Sequence, residues 1–208
     1  MKLNFDQIST CALIGRSIGK PSVYRSVLES FGKNKLPNER TAVFNGSPAF
    51  YRDLSVEKNI SVRRIVLDQP RNEWIKELCD AAGLTKRITG RKFRKDMTCE
   101  KQIYGVISTL FNKPELVLMN EPLVGLNADT RLKFAAILNL CKRENIKVAF
   151  SAALTDAVKL ETVEQFMLVG SDGEPVVVTK QQLEQRRQDM KGDPSYEEVF
   201  KSFIKEGE

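Results

Sequence analysis

The chain has 208 residues, of which 41% are hydrophobic and 29% charged, with a formal net charge of +6. This length allows one packed domain with room for a smaller lobe, and since no run approaches the about 20 apolar residues of a membrane span, we expect a soluble protein. The chain contains no histidine and four widely spaced cysteines, which argues against a zinc site and excludes mechanisms that use a histidine base.

The N-terminal part begins with a strand, a turn and a helix. Residues 11–14 form a compact apolar run that predicts a buried strand, and Gly15 ends it. Apolar residues then recur at helical spacing over 22–31, which predicts a helix after the glycine turn. A second strand is predicted at Thr41–Phe44.

The middle of the chain, residues 56–112, has a different character. Helical patterns occur around 73–82 and 100–111, and no convincing strand is present. This predicts an inserted helical subdomain, with residues 1–55 and 113–208 forming the α/β core.

Strands and helices alternate again in the C-terminal part. Apolar runs at Leu116–Met119, 148–150, 166–169 and 176–178 predict four more strands. Helices are predicted near 129–143 and 154–161, followed by two closing helices separated at 192–194. Such alternation favours a mainly parallel sheet covered on both faces, with 11–14, Leu116–Met119 and 148–150 as its central strands.

The first strand is followed by an incomplete phosphate-binding loop. Glycine turns, a lysine and a helix start are the elements that cradle phosphates, and here they are Gly15, Gly19, Lys20 and Ser22. The spacing between the glycines is one residue short of the full pattern. Pro21 stands where a magnesium-binding hydroxyl residue is expected, and proline has neither a hydroxyl nor an N–H.

Four segments in order resemble the ATPase subunits of ABC transporters, over about residues 8–180. Residues 112–127 resemble the strand that ends in Asp-Glu-Pro together with the following D-loop, and 48–60 resemble the segment after the Q-loop. The pair at 101–102 is similar to the residues after the signature motif, and 151–156 to the switch region. The resemblance implies a P-loop NTPase-like fold and makes Glu121 the counterpart of the general base, here interpreted as vestigial.

The resemblance also implies groups that this chain lacks. The family's magnesium-orienting aspartate corresponds to Asn120, the Q-loop glutamine to Gly46, the D-loop aspartate to Asn127 and the switch histidine to Ala153. The signature motif corresponds to residues 96–100, which include Met97, Thr98 and Cys99. Because losing one preorganised electrostatic group commonly costs about a hundredfold in rate, we expect little or no ATP hydrolysis.

Further expectations concern the nucleotide. Only ten residues precede the first strand, so we expect the family's N-terminal β layer, with its adenine-stacking aromatic residue, to be truncated. No cofactor is therefore expected to bind tightly, although weak binding of ATP or phosphate at the degenerate loop remains compatible with the sequence.

The resemblance implies two protein partners, a membrane permease subunit and an ABC ATPase homologue in a hetero- or homodimer. Phe50, Tyr51 and Leu54 correspond to the region that receives the permease, although they are equally compatible with core packing. The protein is expected in the cytoplasm, held at the inner face of the cell membrane through its partner.

A basic run remains outside these motifs. It consists of Lys86, Arg87, Arg91, Lys92, Arg94 and Lys95. Such a run can meet nucleic acid or anionic lipid, but Phe93 is the only aromatic residue within it and its spacing matches no nucleic-acid module. We interpret it as a solvated face and expect no nucleic-acid partner.

Three functions are compatible with the sequence. The first is a catalytically degenerate ABC-type ATP-binding subunit with a structural or regulatory role in a membrane transporter. The second is a weakly active ATPase that completes a composite site with a partner. The third is a regulatory or immunity scaffold that serves only as an interaction surface. ATP-binding measurements separate the second from the others, and co-purification with a membrane protein separates the first from the third.

Overall fold

The computed structural model describes residues 10–15, 41–46, 50–68, 73–84, 90–95, 98–170 and 175–205. Six strands lie in these ranges: β1 Thr10–Gly15, β2 Thr41–Phe44, β3 Leu116–Met119, β4 Lys147–Ser151, β5 Gln165–Val169 and β6 Pro175–Thr179. The α-helices of the same ranges are α1 Val56–Val66, α2 Glu73–Ala81, α3 Thr98–Thr109, α4 Ala128–Arg143, α5 Leu154–Ala157, α6 Lys180–Asp189 and α7 Tyr196–Lys205.

The six strands form one sheet in the order β2-β3-β4-β1-β5-β6. The first five are parallel, and β6 pairs with β5 in the antiparallel direction. The prediction of a mainly parallel α/β sheet with β1, β3 and β4 in its interior is therefore confirmed.

Burial on both faces explains why the strand sequences are unbroken apolar runs. All four residues of β3 are buried, as are residues 11–14 of β1 and 166–169 of β5. Helix α4 covers one face of the sheet, where Phe134 meets Phe150 edge-on at 5.7 Å between ring centroids. Parallel sheets need such cover on both faces, so alternating polar residues are absent from these strands.

The middle segment is helical in its described residues, as expected. Helices α2 and α3 contribute Trp74, Leu78 and Ile107 to the same buried cluster as the sheet. The indole N–H of Trp74 donates to the carbonyl of Leu110 at 2.8 Å, which joins the start of α2 to the end of α3. The division into a core and an inserted subdomain stays a prediction.

Helix α1 was not among the predicted helices. Its apolar residues form no continuous stripe, since only Val56 and Asn59 are buried and Ile65 and Val66 are exposed. Its start is fixed instead by capping, because the hydroxyl of Ser55 accepts from the N–H of Lys58 at 3.2 Å. None of the helices within the described ranges is long and apolar enough to cross a bilayer.

The helix predicted over 154–161 is shorter than expected. Helix α5 ends at Ala157, because the N–H of Leu160 turns back to the Ala157 carbonyl at 3.1 Å. In a second turn the N–H of Val163 donates to the Leu160 carbonyl at 3.3 Å, and the N–H of Glu164 then donates to the Thr10 carbonyl at 3.2 Å. These turns place β5 beside β1, which a longer helix would prevent.

Candidate functional site

The carboxyl ends of β1, β3 and β4 meet at one edge of the sheet. Ligands of open parallel sheets bind beyond this edge, and here it borders a cavity of about 340 Å³. Its described lining residues are Ile14, Gly15, Glu121, Leu123, Val124, Ser151, Ala152, Ala153 and Asp156. The predicted residues Gly15, Glu121 and Ala153 are thus brought together.

Glu121 follows β3 with an unusual backbone. Its φ is 47°, in the left-handed region that non-glycine residues rarely adopt. Its N–H donates to the Ser151 hydroxyl at 2.7 Å, and its carbonyl accepts from the Gln102 side-chain amide at 3.3 Å. Such a conformation costs on the order of 1–3 kcal/mol and persists only where neighbours hold it. The exposed Glu121 side chain is therefore carried on a fixed backbone beside the cavity.

Asn120 also engages Ser151. The Ser151 hydroxyl donates to the Asn120 Oδ1 at 3.0 Å, while the Asn120 N–H donates to the Phe44 carbonyl at 2.8 Å. Ser151 is 3% exposed, so this bond is shielded from water. The position carries a neutral amide whose oxygen already has a partner.

Gly15 lies where β1 passes closest to β5. Its φ is +153°, and an added Cβ would approach the Val169 carbonyl oxygen to well under 3.0 Å. Only glycine fits this position. The start of the expected phosphate loop is therefore fixed by packing against β5.

The turn after β3 is tied to α3 and α4. The Asn127 Oδ1 caps α4 by accepting from the N–H and the hydroxyl of Thr130, both at 2.9 Å. The Asn127 Nδ2 lies 3.6 Å from the sulfur of Cys99, which is buried in the first turn of α3. Two positions that depart from the family, Asn127 and Cys99, therefore contact each other within one chain.

A bidentate ion pair joins α4 to α5 at the rim of the cavity. Arg131 Nη1 and Nη2 lie 2.7 and 3.2 Å from the two carboxylate oxygens of Asp156. Arg131 holds the pKa of Asp156 below its usual range, mainly through this hydrogen bond, and the pair raises the pKa of Arg131. Both oxygens of the Asp156 carboxylate are therefore bound to Arg131.

The other predicted residues lie in several places. Gly46 follows β2 with φ +79° and has nothing within 4 Å of where a Cβ would lie, and Thr98 is exposed at the start of α3. Ala153 is the residue before α5 and gives no side-chain cap. Gly19, Lys20, Pro21, Ser22 and Met97 lie outside the described residues.

The three residues of the expected permease contact differ in exposure. Phe50 is buried against Phe93 and Tyr104, at centroid distances of 5.2 and 6.4 Å. Leu54 is half-buried, and Tyr51 is 61% exposed. Phe50 is therefore a core residue, whereas Tyr51 faces solvent.

Sequence reasoning did not single out the side chains that support this site. Ser151 and Asp156 lie within the switch-like segment 151–156 and Gln102 within the pair at 101–102, but their roles depend on contacts between distant elements. Arg131 lies in the first turn of α4, and nothing in the sequence around it distinguishes it from an ordinary surface arginine. Only the folded geometry identifies it as the partner of Asp156.

Comparisons with known proteins agree on the fold. No protein-family model matches the chain. The chain is 26% identical over 179 aligned residues to the bacitracin transport ATP-binding protein BcrA of Bacillus licheniformis, covering 76% of this chain and 57% of the relative. It therefore spans little more than half the length of that relative.

Solved structures of three ABC transporter proteins share the architecture. An ATP-binding subunit of an ABC transporter superposes with a TM-score of 0.67 at 14% identity, covering 94% of this chain and 88% of that one. A putative metal-chelate type ABC transporter in an inward-facing conformation gives 0.60 at 13% identity, covering 84% and 73%. The cbiO1 protein of Clostridium perfringens, part of the cbiONQ transporter complex, gives 0.62 at 10% identity, covering 88% and 84%. The fold is that of ABC ATPase domains.

Proposed function

We propose that this chain is an ABC-type ATP-binding subunit of a membrane transporter assembly that has lost most of its ATPase activity and acts structurally or in regulation. The fold and the similarity to BcrA support the transporter part of the proposal. The loss of activity is supported by one observation above all. The residue that follows β3 is an asparagine, and its side-chain oxygen accepts from Ser151.

The described residues fit a magnesium ion poorly. Mg²⁺ prefers carboxylate and phosphate oxygens in octahedral geometry. Of the two carboxylates that line the cavity among the described residues, Asp156 is bound to Arg131 and only Glu121 faces solvent unengaged. Asn120 offers Mg²⁺ no carboxylate, and its side-chain oxygen already accepts from Ser151, so we derive no catalytic step through the ion.

A weakly active composite site is the second candidate. The position of Glu121 favours it, because Ser151 and Gln102 hold the backbone that carries this carboxylate at the edge of the cavity. In this alternative a partner subunit supplies the signature motif, and the chain binds ATP through its own phosphate loop.

Two measurements on native material test the proposal. The tagged protein is purified from detergent-solubilised membranes, and its companions are identified. A permease together with an active ATPase homologue is the expected result. Purification with soluble proteins alone contradicts the transporter role and favours an interaction scaffold. ATP hydrolysis by the complex that falls when Glu121→Gln is introduced into this chain favours the composite site.

A further inference from the structure

We propose that Asn45 is a site of spontaneous deamidation, through which the folded chain gains a carboxylate at the carboxyl edge of its sheet. In this reaction the side-chain amide of an asparagine is hydrolysed by way of a cyclic imide, which it forms with the next backbone nitrogen. The reacting groups belong to one dipeptide, Asn45-Gly46, at the end of β2. The reaction needs no partner protein and goes beyond the proposed transporter role.

The side chain that reacts is exposed and makes no polar contact. Asn45 is the residue after β2, and its side chain faces solvent. Among the hydrogen bonds of the described residues, none involves this side chain. Exposed side chains exchange rotamers rapidly, so the Asn45 amide carbon can turn toward the following backbone nitrogen without losing an interaction.

The nitrogen that attacks belongs to Gly46. Within the described ranges its N–H donates to no acceptor, so no hydrogen bond has to break before the attack. Nothing lies within 4 Å of where a Cβ would stand, and glycine has no side chain of its own to block the approach. Its φ of +79° lies in the wide range that glycine can adopt, which lets this turn adjust to the imide ring.

The atoms of the reaction balance with water as the only co-reactant. The Gly46 nitrogen loses its proton to solvent base and bonds to the Asn45 Cγ. The bond from Cγ to Nδ2 breaks, and the amide nitrogen takes up a proton and leaves as ammonia. Water then opens the imide at either carbonyl carbon. Attack at Cγ gives aspartate, and attack at the main-chain carbon gives isoaspartate, in which the chain continues through the side chain.

A second exposed asparagine shows how the fold can protect such a site. Asn145 also has a positive φ, of 56°, but the residue after it is Ile146. The Ile146 N–H donates to the Cys141 carbonyl at 2.8 Å, and its branched side chain is buried. Imide formation at Asn145 would have to break this hydrogen bond and displace a packed side chain. We therefore expect Asn145 to stay intact while Asn45 reacts.

Deamidation changes the charge at the edge of the candidate site. The formal net charge falls by one from +6, and the new carboxylate follows β2 as Asn120 follows β3. The two positions are adjacent, because Phe44 pairs with Met119 and the Asn120 N–H donates to the Phe44 carbonyl at 2.8 Å. A negative charge at this place opposes the approach of a phosphate group.

The test incubates the purified, folded full chain in mildly alkaline water enriched in heavy oxygen, and follows each asparagine by peptide mapping with mass spectrometry. Asn45 should become a mixture of aspartate and isoaspartate that carries heavy oxygen, whereas Asn145 should not react. Because the fold leaves both reacting groups free, the rate at Asn45 should lie within about tenfold of that in the urea-unfolded chain.

Two glycine variants identify the attacking nitrogen. Gly46→Ala places a Cβ on the residue that attacks and should slow the reaction at Asn45 at least about tenfold, in the folded and in the urea-unfolded chain. Gly192→Ala is the matched control, because Gly192 also has a positive φ, of +92°, and nothing within 4 Å of an added Cβ. It should change the rate at Asn45 less than about twofold.

Three results would overturn the proposal. A rate at Asn45 more than about tenfold slower in the folded protein than in urea would show that the fold protects this amide. Equal conversion of Asn45 and Asn145 in the folded protein would remove the assigned part of the free Gly46 N–H, and so would an unchanged rate in Gly46→Ala. None of these results bears on the transporter role, which purification from membranes tests separately.

Discussion

The backbone N–H of Glu121 donates to the hydroxyl of Ser151 at 2.7 Å, across the ends of two neighbouring strands. The same hydroxyl donates to Asn120, so one buried serine holds both residues that follow β3. Glu121 keeps its left-handed φ of 47° because of this contact and that of Gln102. Contacts within the chain therefore hold this edge of the site in place.

Removing this hydroxyl should destabilise the protein. Ser151→Ala leaves the Glu121 N–H and the Asn120 oxygen without their shared partner, which costs about 1–3 kcal/mol in the free energy of unfolding. Urea titration measures the change. Ser61→Ala, which removes a surface hydroxyl bonded only to the carbonyl of Glu57, should cost less than about 0.5 kcal/mol. Equal losses in the two variants would contradict the assigned role of Ser151.

Gly15 should not tolerate a side chain. In Gly15→Ala the new Cβ meets the Val169 carbonyl and β1 must move away from β5, so we expect a loss of more than about 3 kcal/mol or failure to fold. Gly46→Ala is the matched control. A φ of +79° is strained for alanine, but nothing lies within 4 Å of the added Cβ. It should lose only about 1–2 kcal/mol. The melting temperatures of both variants test this prediction. A soluble Gly15→Ala protein with an unchanged melting temperature would contradict the close packing of Gly15 against Val169.

The Arg131–Asp156 pair predicts a pH dependence. Because the pKa of Asp156 is lowered in the folded state, the pair stabilises above the ordinary aspartate pKa of about 3.9 and this contribution disappears as pH falls through the lower folded value. The difference in unfolding free energy between wild type and Asp156→Asn should therefore shrink between about pH 5 and pH 2.

A control separates this pair from general acid sensitivity. Asp129→Asn removes an exposed i,i+4 pair with Lys133, in which the Asp129 side chain is 71% exposed, so its contribution should be small at every pH. Equal free energies of unfolding for Asp156→Asn and Asp129→Asn from pH 7 to pH 2 would show that the bidentate pair does not stabilise the fold.

Sequence patterns predicted the sheet because its strands are buried on both faces. The apolar runs at Leu116–Met119 and 166–169 are readable without partners, and their alternation with helices implied parallel pairing. The sequence could not reveal that Ser151 bridges Asn120 and Glu121, or that Arg131 reaches Asp156, since these contacts join residues 25–31 positions apart. Helix α1 escaped prediction because capping by Ser55 and packing of Asn59, not an apolar stripe, define it.

ATP binding should be weak. Proline at position 21 has neither a hydroxyl nor an N–H, so this position can neither bind magnesium nor donate to a phosphate. We expect no dissociation constant below about 1 mM for the isolated protein with ATP and magnesium. Calorimetric titration measures it, and Lys20→Ala is the control. A micromolar constant that Lys20→Ala abolishes would show a working loop and favour the composite-site alternative.

Steady-state phosphate release by the purified protein, with ATP and magnesium, tests the central proposal most directly. Because Asn120 and Pro21 replace both protein groups expected to orient the ion, the wild-type rate should not exceed that of Glu121→Gln. A rate near the median enzyme turnover of about 10 per second, reduced by Glu121→Gln, would contradict the proposal of a degenerate ATPase.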